Sequence, residues 1–296
     1  MTKRWEIQGL NLRPTALVFA AALSASGCNL ASSVAAAEPV YHETPFHASD
    51  FVDPRVGANV WLPLVPGTQW VREGTTLIGN RVVPNLVVTT VTDVTREIQG
   101  VTTVLVYDHS VGAGQVVQES LDYLAQDKDG NIWMMGGATE QYEAGRYVAV
   151  DEAWISGKDG SQAGILMPAD PPASAAWVID KHAGEEESVA EFVQLLPRKC
   201  EPFDCFSKVL VTREGKATAI DNEFKYYAYG VGQIDNQPRG ASRHQDIEQL
   251  INITRLSPEG LAEASAASLR IDRRAVKEWP ELFGSVKASR SPYVAG

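Results

Sequence analysis

The chain has 296 residues, of which 44% are hydrophobic and 21% are charged, and its formal net charge is −11 at pH 7. This length can bury a large core, and these fractions exclude a chain that is disordered throughout. The acidic balance argues against nucleic acid as a partner and against binding of the body to an anionic membrane surface, because like charges repel each other.

The first 27 residues have the pattern of a secretory signal peptide. Lys3, Arg4 and Arg13 flank a short apolar run over residues 16–23. That run is too short to cross a bilayer as a helix, and small residues follow it. We therefore expect a protein that is exported from a bacterial cytoplasm.

Two processing sites are compatible with this signal. The residues before Cys28 resemble the lipobox of bacterial lipoproteins, although Ala25 stands where that motif usually has Leu. The alanines at 35–37 fit ordinary signal peptidase instead. Lipidation at Cys28, followed by Asn29 rather than Asp, favours an outer-membrane lipoprotein facing the periplasm. Cleavage after Ala37 would give a secreted protein, and both alternatives stay open.

The cysteines support the lipoprotein interpretation. Cys200 and Cys205 lie five positions apart and can form a disulfide in an oxidising compartment, with two free thiols as the alternative. This pairing leaves Cys28 alone, which lipidation would explain. The spacing does not fit a redox CxxC motif, and no second pair exists for zinc, so we predict no metal site. Residues 28–50, rich in Ala, Ser, Glu and Pro, are predicted to form a flexible tether.

Residues 51–256 are predicted to form one antiparallel β domain around a central hairpin. That hairpin runs from Val117 to Met135 with the turn at Asp127–Asn131, and Gly136–Gly137 is expected to close it. The predicted strands cover 68–72, 86–94, 101–107, 121–126, 132–134, 146–154, 177–180, 187–195, 206–213, 223–231 and 248–255, with a loop over 167–176. No amphipathic helix for a βαβ crossover lies between them. The pattern predicts a mainly β fold, an antiparallel meander curled into a barrel or half-barrel, with a two-sheet sandwich as the rival.

Residues 257–296 are predicted to form a helical tail. Ser257 is a suitable N-cap, and Pro258 suits the first position of a helix. Asp272 could cap a second helix that carries Val276 and ends at Pro280. The sequence therefore predicts two short C-terminal helices beside the sheet.

Several phrases resemble a family of bacterial secreted proteins and lipoproteins of unknown function. They occur in order over roughly residues 60–235: Pro63–Thr68, Tyr123–Trp133, Gly164–Ala169, Val209–Glu214 and Glu223–Gly232. The resemblance implies an extracytoplasmic β protein, of the half-barrel kind found in lipoprotein carriers, and it implies no particular activity or catalytic residue. The Met134–Gly137 segment departs from that pattern, and the tail lies outside it.

The histidines give no catalytic motif. His42 and His47 lie in the predicted tether, and no role is predicted for His182 or His244. Asp108 could orient the imidazole of His109, but a strand end at the surface explains this pair equally well. The chain has no GxSxG, HExxH or glycine-rich phosphate motif, which argues against common hydrolases and nucleotide enzymes. We predict no catalytic residue and no cofactor.

Two acidic stretches are interpreted as turns. The oxygens of Asp127–Asn131 could suit calcium, but the terminal Glu of a calcium loop is missing, which favours a plain hairpin turn. The glutamates at 185–187 are interpreted as a solvated turn.

The segment Glu223–Tyr229 is the strongest candidate for contact with a ligand. Alternation places Phe224, Tyr226 and Ala228 on one face of the strand and Lys225, Tyr227 and Tyr229 on the other. A tyrosine combines an apolar ring with a polar hydroxyl, which suits an amphiphilic ligand. The predicted ligand-binding residues are Tyr226, Tyr227, Tyr229 and Trp133. A strand covered by the tail helices is the alternative.

Three functional classes follow from these observations. The first is an envelope protein that binds or carries an apolar or amphiphilic small molecule and meets the membrane only through an N-terminal lipid anchor. The second is a structural or interaction protein of the envelope without a small-molecule site. The third is an enzyme whose site is built from residues far apart in the sequence.

Overall fold

Twelve antiparallel strands form a closed barrel with a C-terminal helix packed on its outside. The structure is a computed structural model, and it describes residues 39–182, 184–217, 222–239, 246–284 and 286–291. The predicted signal peptide, Cys28, residues 28–38 of the predicted tether and His244 lie outside the described residues. Within them, no helix is both long and apolar enough to cross a lipid bilayer.

The elements follow one another in a nearly continuous run of strands. The strands are β1 (Phe51–Val52), β2 (Thr68–Ile78), β3 (Arg81–Ile98), β4 (Val101–Gly112), β5 (Gln115–Asp127), β6 (Ile132–Glu143), β7 (Arg146–Ile155), β8 (Gln162–Met167), β9 (Ala176–Lys181), β10 (Ser188–Cys200), β11 (Cys205–Lys216), β12 (Glu223–Ala228), β13 (Gly232–Pro238), β14 (Ile247–Arg255) and β15 (Ser289–Arg290). The helices are α1 (Pro258–Glu278) and α2 (Pro280–Phe283), and single 3₁₀ turns cover Ala48–Asp50 and Pro54–Val56.

The order around the barrel is β5-β4-β3-β2-β14-β13-β12-β11-β10-β9-β8-β6, and pairing of β6 with β5 closes it. The strands β1, β7 and β15 attach outside this ring, to β5, β6 and β3. The prediction of an antiparallel barrel is confirmed, and the rival sandwich is wrong. Closure requires the first barrel strand, β2, to pair with the last one, β14. In this pairing Trp70 stands opposite Ile253.

Some boundaries differ from those predicted. Gly136 and Gly137 do not close the central hairpin but lie inside β6, because they let β7 approach closely. A Cβ on Gly136 would lie 2.8 Å from the Trp154 carbonyl oxygen, and one on Gly137 would lie 3.3 Å from the Trp154 indole nitrogen. The strand β8 was not predicted, and the stretch predicted as 223–231 ends at Ala228 before a turn leads into β13.

The last part of the predicted tether is bound to the barrel. The His42 nitrogen donates to the Ala176 carbonyl, and the His42 carbonyl accepts from the Val178 nitrogen. The Tyr41 hydroxyl donates to Glu191 at 2.6 Å. A tether reaching residue 50 is therefore too long, because its end is held by long-range contacts that composition does not show.

The tail begins as predicted but continues as one long helix. The Ser257 hydroxyl accepts from the Gly260 nitrogen at the start of α1. Asp272 does not cap a second helix, which is a correction of the prediction. Its buried carboxylate accepts from Arg96 at 2.6 Å and from the Tyr123 hydroxyl at 3.0 Å, so this position lies in the middle of α1 against the sheet. The apolar face of α1 covers a core that includes Leu121, Ile271 and Ala275.

The hairpin β10–β11 extends past the barrel wall and folds over β12–β14. Lys199 contacts Asp235 of β13 at 2.7 Å, and the Phe203 nitrogen donates to the Leu250 carbonyl of β14. Cys200 and Cys205 stand opposite each other at the end of this hairpin and form a disulfide, so the predicted bond is present.

Candidate functional site

The barrel encloses connected free space rather than a completely filled core. One cavity, of about 160 Å³, is lined by residues of β2, β3, β4, β5, β8, β12 and β13, which lie on all sides of the ring. Two more cavities, of about 280 and 330 Å³, share lining residues with it. We call these the central, polar and lateral cavities. Lys225 lines all three, which places its side chain where they meet.

The central cavity has an apolar and a charged part. Its apolar lining consists of Leu62, Leu64, Trp70, Val91, Val106, Leu124, Leu166 and Tyr227. Its charged lining consists of Arg72, Asp108, Asp122 and Lys225. Arg72, Asp108 and Lys225 also line the polar cavity, so the charged part of the central cavity faces that cavity. The central cavity has room for an apolar group of a ligand, and the polar cavity has room for a polar group of the same ligand.

Acidic residues outnumber basic ones inside the barrel. Seven carboxylates line the three cavities, namely Asp108, Asp122, Asp180, Glu214, Glu223, Asp246 and Glu248, against the two cations Arg72 and Lys225. Both cations are already engaged by protein groups. Arg72 donates to Glu248 at 2.7 Å and to the Thr89 hydroxyl, and Lys225 lies 3.1 Å from Glu214. The excess of carboxylates favours a ligand that carries positive charge.

Burial and mutual repulsion change the protonation of these carboxylates. Burial is the largest cause that raises the pKa of Asp122 to about 7, and the nearby charge of Asp108 adds to this effect. Burial likewise raises the pKa of Asp108 against the attraction of Arg72. The Thr89 hydroxyl donates to Asp108, whereas no described residue donates a hydrogen bond to Asp122. Asp122 is therefore an acid that changes its charge near neutral pH.

The tyrosines of β12 occupy three different environments. Tyr227 lines the central cavity and donates to Glu214 at 2.9 Å. Tyr226 lies on the other face, with the Lys199 ammonium 4.4 Å from its ring centre. Tyr229 follows the strand, is 49% exposed and packs edge-on against Trp61. The structure brings Tyr227 to the cavities and places the other two tyrosines outside their lining.

The remaining predicted ligand residue, Trp133, packs in a different part of the molecule. Its ring contacts Phe46 and Phe51, and its indole nitrogen donates to Asp127 at 2.8 Å. Trp133 is not among the lining residues of the three cavities.

The central hairpin turn uses its own donors. The Asp127 carboxylate accepts from the Asp129 and Asn131 backbone nitrogens and from the Asn131 side chain. These hydrogen bonds, together with that from Trp133, occupy the oxygens that calcium would need. The interpretation as a plain turn agrees with this geometry.

Asp108 and His109 do not form a pair, because neighbouring residues of a strand point to opposite faces. Asp108 lines the cavities, and the His109 imidazole lies outside, 3.2 Å from Glu119. His182 also lies away from the central cavity, with its ring centre 4.4 Å from that of Trp154 and its Nε2 atom 3.3 Å from Asp180. The histidines and the cavity carboxylates therefore give no cluster for metal binding among the described residues.

Most interior acids and bases were missed at the sequence level, whereas Asp108 and Lys225 were named there. Their one signal is a charged residue at alternate positions of a strand, as with Asp122 between the buried residues Leu121 and Tyr123. Alternation alone does not reveal which face is enclosed.

Comparison with known proteins gives two structural neighbours. The first is a protein described as exported, with a YmcC-like fold, from Bacteroides fragilis, with 15% sequence identity and a TM-score of 0.33. The second is a protein described as a lipoprotein from Parabacteroides distasonis, with 10% identity and a TM-score of 0.34. Each match covers 66% of this chain and 99% of the neighbour. No family model and no curated protein matches the sequence.

Proposed function

We propose that this protein is an exported, lipid-anchored envelope protein that binds a small amphiphilic ligand inside its barrel. The observation that carries the proposal is the divided lining of the central cavity. Leu64, Val91 and Leu124 represent its apolar part, and Asp108 and Asp122 represent its charged part. An amphiphilic molecule satisfies both parts, whereas a purely apolar molecule would leave buried polar groups without hydrogen bonds.

The size of the central cavity limits the apolar part of the ligand. An apolar cavity of about 150 Å³ in a protein core holds benzene. The central cavity, of about 160 Å³, therefore suits a group the size of one aromatic ring. The polar cavity beside it leaves room for a short chain and a polar group. Export and anchoring rest on the N-terminal sequence pattern, with Cys28 as the lipidated residue.

Binding of three matched probes tests the proposed function. The probes are 4-phenylbutylamine, 4-phenylbutan-1-ol and 5-phenylpentanoate, which share a phenyl ring on a short chain and differ in the charge of the end group. Isothermal titration calorimetry should show that at least one of them binds the full-length protein at one site. Absence of binding by all three probes would contradict the proposal.

A variant with a filled cavity locates the site. Val106, which is buried and lines the central cavity, is changed to Trp, and Val193, which is 40% exposed on β10, is changed to Trp as the matched control. We expect Val106→Trp to abolish probe binding and Val193→Trp to leave it unchanged. Equal binding by both variants would place the probe outside the barrel. Circular dichroism of both variants checks that the barrel is intact.

The rival interaction function also has one supporting observation. The hairpin β10–β11 exposes apolar side chains, with 52% of Leu195 and 42% of Phe203 accessible to solvent. Such a patch is typical of a contact surface for another protein. If Leu195→Ser removed a partner from native complexes while probe binding stayed absent in the wild type, the interaction function would replace the proposed one.

A further inference from the structure

The polar cavity contains two amide oxygens that lack a hydrogen bond. Asn85 is 5% exposed and Asn236 is 4% exposed, and both line this cavity. The Oδ1 atom of each side chain has no hydrogen-bond partner among the described residues. Burying such an acceptor without a donor costs free energy, so each of these positions calls for an explanation.

The backbone register directs both amides to the inside of the barrel. Asn236 stands opposite Lys225, which lines all three cavities. Asn85 lies two residues before Val87 on β3, and both side chains line the polar cavity. The Nδ2 atom of Asn236 donates to the Asp246 carbonyl at 3.3 Å. That contact fixes which end of this amide carries the free oxygen.

The charged groups around the two oxygens are mainly acidic, and the uncharged side chains of Thr76, Ser110, Gln118, Ser120 and Gln233 complete the lining. Glu223, Asp246, Glu248 and Asp108 line the same cavity. Both cations of the cavity already have protein partners. Arg72 donates to Glu248 and Thr89, and Lys225 forms an ion pair with Glu214. The excess of carboxylates over cations favours a ligand that donates hydrogen bonds and carries positive charge. A carboxylate or phosphate group would meet like charge instead.

We propose that the polar cavity binds the ammonium group of an amphiphilic primary amine, with the side-chain oxygen of Asn236 and the carboxylate of Glu248, which stands opposite it, as acceptors. An ammonium group donates three hydrogen bonds, which an amide oxygen and carboxylates can accept. The apolar part of the same molecule occupies the central cavity, so this inference rests on the proposed function. The cavity acids are spread out rather than gathered around one point, and the described residues contain no group that could hold a metal ion. That arrangement suits an organic cation.

The three probes of the proposed function also test this inference, because they differ only in end group. At pH 8 we expect 4-phenylbutylamine to bind at least about tenfold more tightly than 4-phenylbutan-1-ol, a difference of about 1.4 kcal/mol, and 5-phenylpentanoate to bind most weakly. Equal affinity for the amine and the alcohol, or tighter binding of the carboxylate, would overturn the inference while leaving the proposed function in place. Failure of all three probes would overturn both.

Variants of the two amides separate this site from general charge attraction. Asn85→Leu and Asn236→Leu keep the side-chain size and remove the acceptors. Asn236→Leu is expected to lower the affinity for the amine about fivefold to tenfold and to leave the affinity for the alcohol unchanged. Asn85 lies three strands away in the same row, so Asn85→Leu should change the affinity for the amine less and serves as a control inside the cavity. Gln69→Leu, on β2 outside the lining of the three cavities, is the control. An unchanged preference for the amine in Asn236→Leu would contradict the inference.

A measurement on the unmodified protein covers the case in which the variants fold poorly. Burial raises the pKa of Asp122, which lies in the adjoining central cavity, to about 7, so this acid gains negative charge as the pH rises through that value. The affinity for the amine should therefore rise between pH 5 and pH 8, whereas the affinity for the alcohol should stay level. Parallel pH profiles for the two probes would overturn the inference.

Discussion

Two carboxylates three residues apart on β5 have opposite environments. Glu119 faces outward beneath α1 and is contacted by the hydroxyls of Tyr107 and Tyr142 and by Arg270 at 2.7 Å. Asp122 faces the cavities and receives no hydrogen bond from a described residue. Against the cost of burial, a contact with His109 and these donors hold the pKa of Glu119 well below its usual range, whereas burial raises the pKa of Asp122 to about 7.

The difference comes from what each face of the strand meets. The outer face meets α1, which brings Arg270 to Glu119 and Arg274 to Glu140. The inner face meets free space, so its acids are buried without enough donors. A buried acid with matched donors stabilises the packing of a helix, whereas a buried acid without them is a feature of a binding site. Three changes test this contrast, from the largest expected effect to the smallest.

Removing Asp272 should have the largest effect, because it leaves Arg96 buried without its carboxylate. The two side chains are 2% and 4% exposed. Asp272→Ala should lower the free energy of unfolding by about 3–5 kcal/mol, as measured by urea denaturation. Asp50→Ala is the control, since the Asp50–Lys128 pair is largely exposed and should contribute little to stability. A similar small loss for both variants would show that α1 is not held by this pair.

Removing the charge of Asp122 should change how stability depends on pH. The pKa of Asp122 is about 7 in the folded protein, and it is about 3.9 in an unfolded chain. Between these values the folded state holds a proton that the unfolded state has lost. The contribution of Asp122 to the stability of the folded state is therefore fully present below about pH 4 and is lost as the pH rises through 7.

The wild type should lose about 2–4 kcal/mol of its free energy of unfolding in this way, and Asp122→Asn should not. The variant should therefore be more stable than the wild type at pH 8. Urea denaturation at several pH values measures the effect. Glu143→Gln, at the exposed end of β6, is the control and should leave the profile unchanged. A wild-type profile that is flat between pH 4 and pH 8 would be incompatible with a buried acid at this position.

Removing the charge of Glu119 should act in the opposite direction. Its lowered pKa means that its stability contribution is present above the unfolded value of about 4.3 and is lost as the pH falls below it. Glu119→Gln should cost about 1.5–3 kcal/mol at pH 7, because charge-assisted hydrogen bonds are lost. Denaturation at pH 7 and pH 3 measures the cost, which should shrink at pH 3. A gain in stability at pH 7 would contradict the contrast between the two faces.

The sequence predicts local features of this molecule well. Turn residues and alternation identify most strands, and Ser257 with Pro258 marks the start of α1 because capping depends on neighbours in the chain. Asp272 was misassigned for the converse reason. It has the residue type of a cap, but its partner Arg96 lies 176 positions away and cannot be recognised from local pattern.

The candidate site was predictable only in part. Alternation groups Lys225 with Tyr227, and the structure places both on the cavity lining. The alternation pattern could not show that Asp108 and Asp122 lie in the same space as these two residues, because that depends on closure of the barrel. Trp133 and Tyr226 are residue types that often contact ligands. Here Trp133 packs against Phe51, and the ring of Tyr226 contacts Lys199.

Closure of the barrel also has a consequence for folding. Pairings within the ring join strands that are close in sequence, except for that between β2 and β14, which brings Thr68 opposite Arg255. Forming this pairing closes a loop of most of the chain, and contacts of such separation form slowly. Until β14 has been made, β2 and β13 each present an unpaired edge, which other chains can join. A chain cut short before Ile247 would keep both edges open and should assemble into aggregates rather than fold into a smaller barrel.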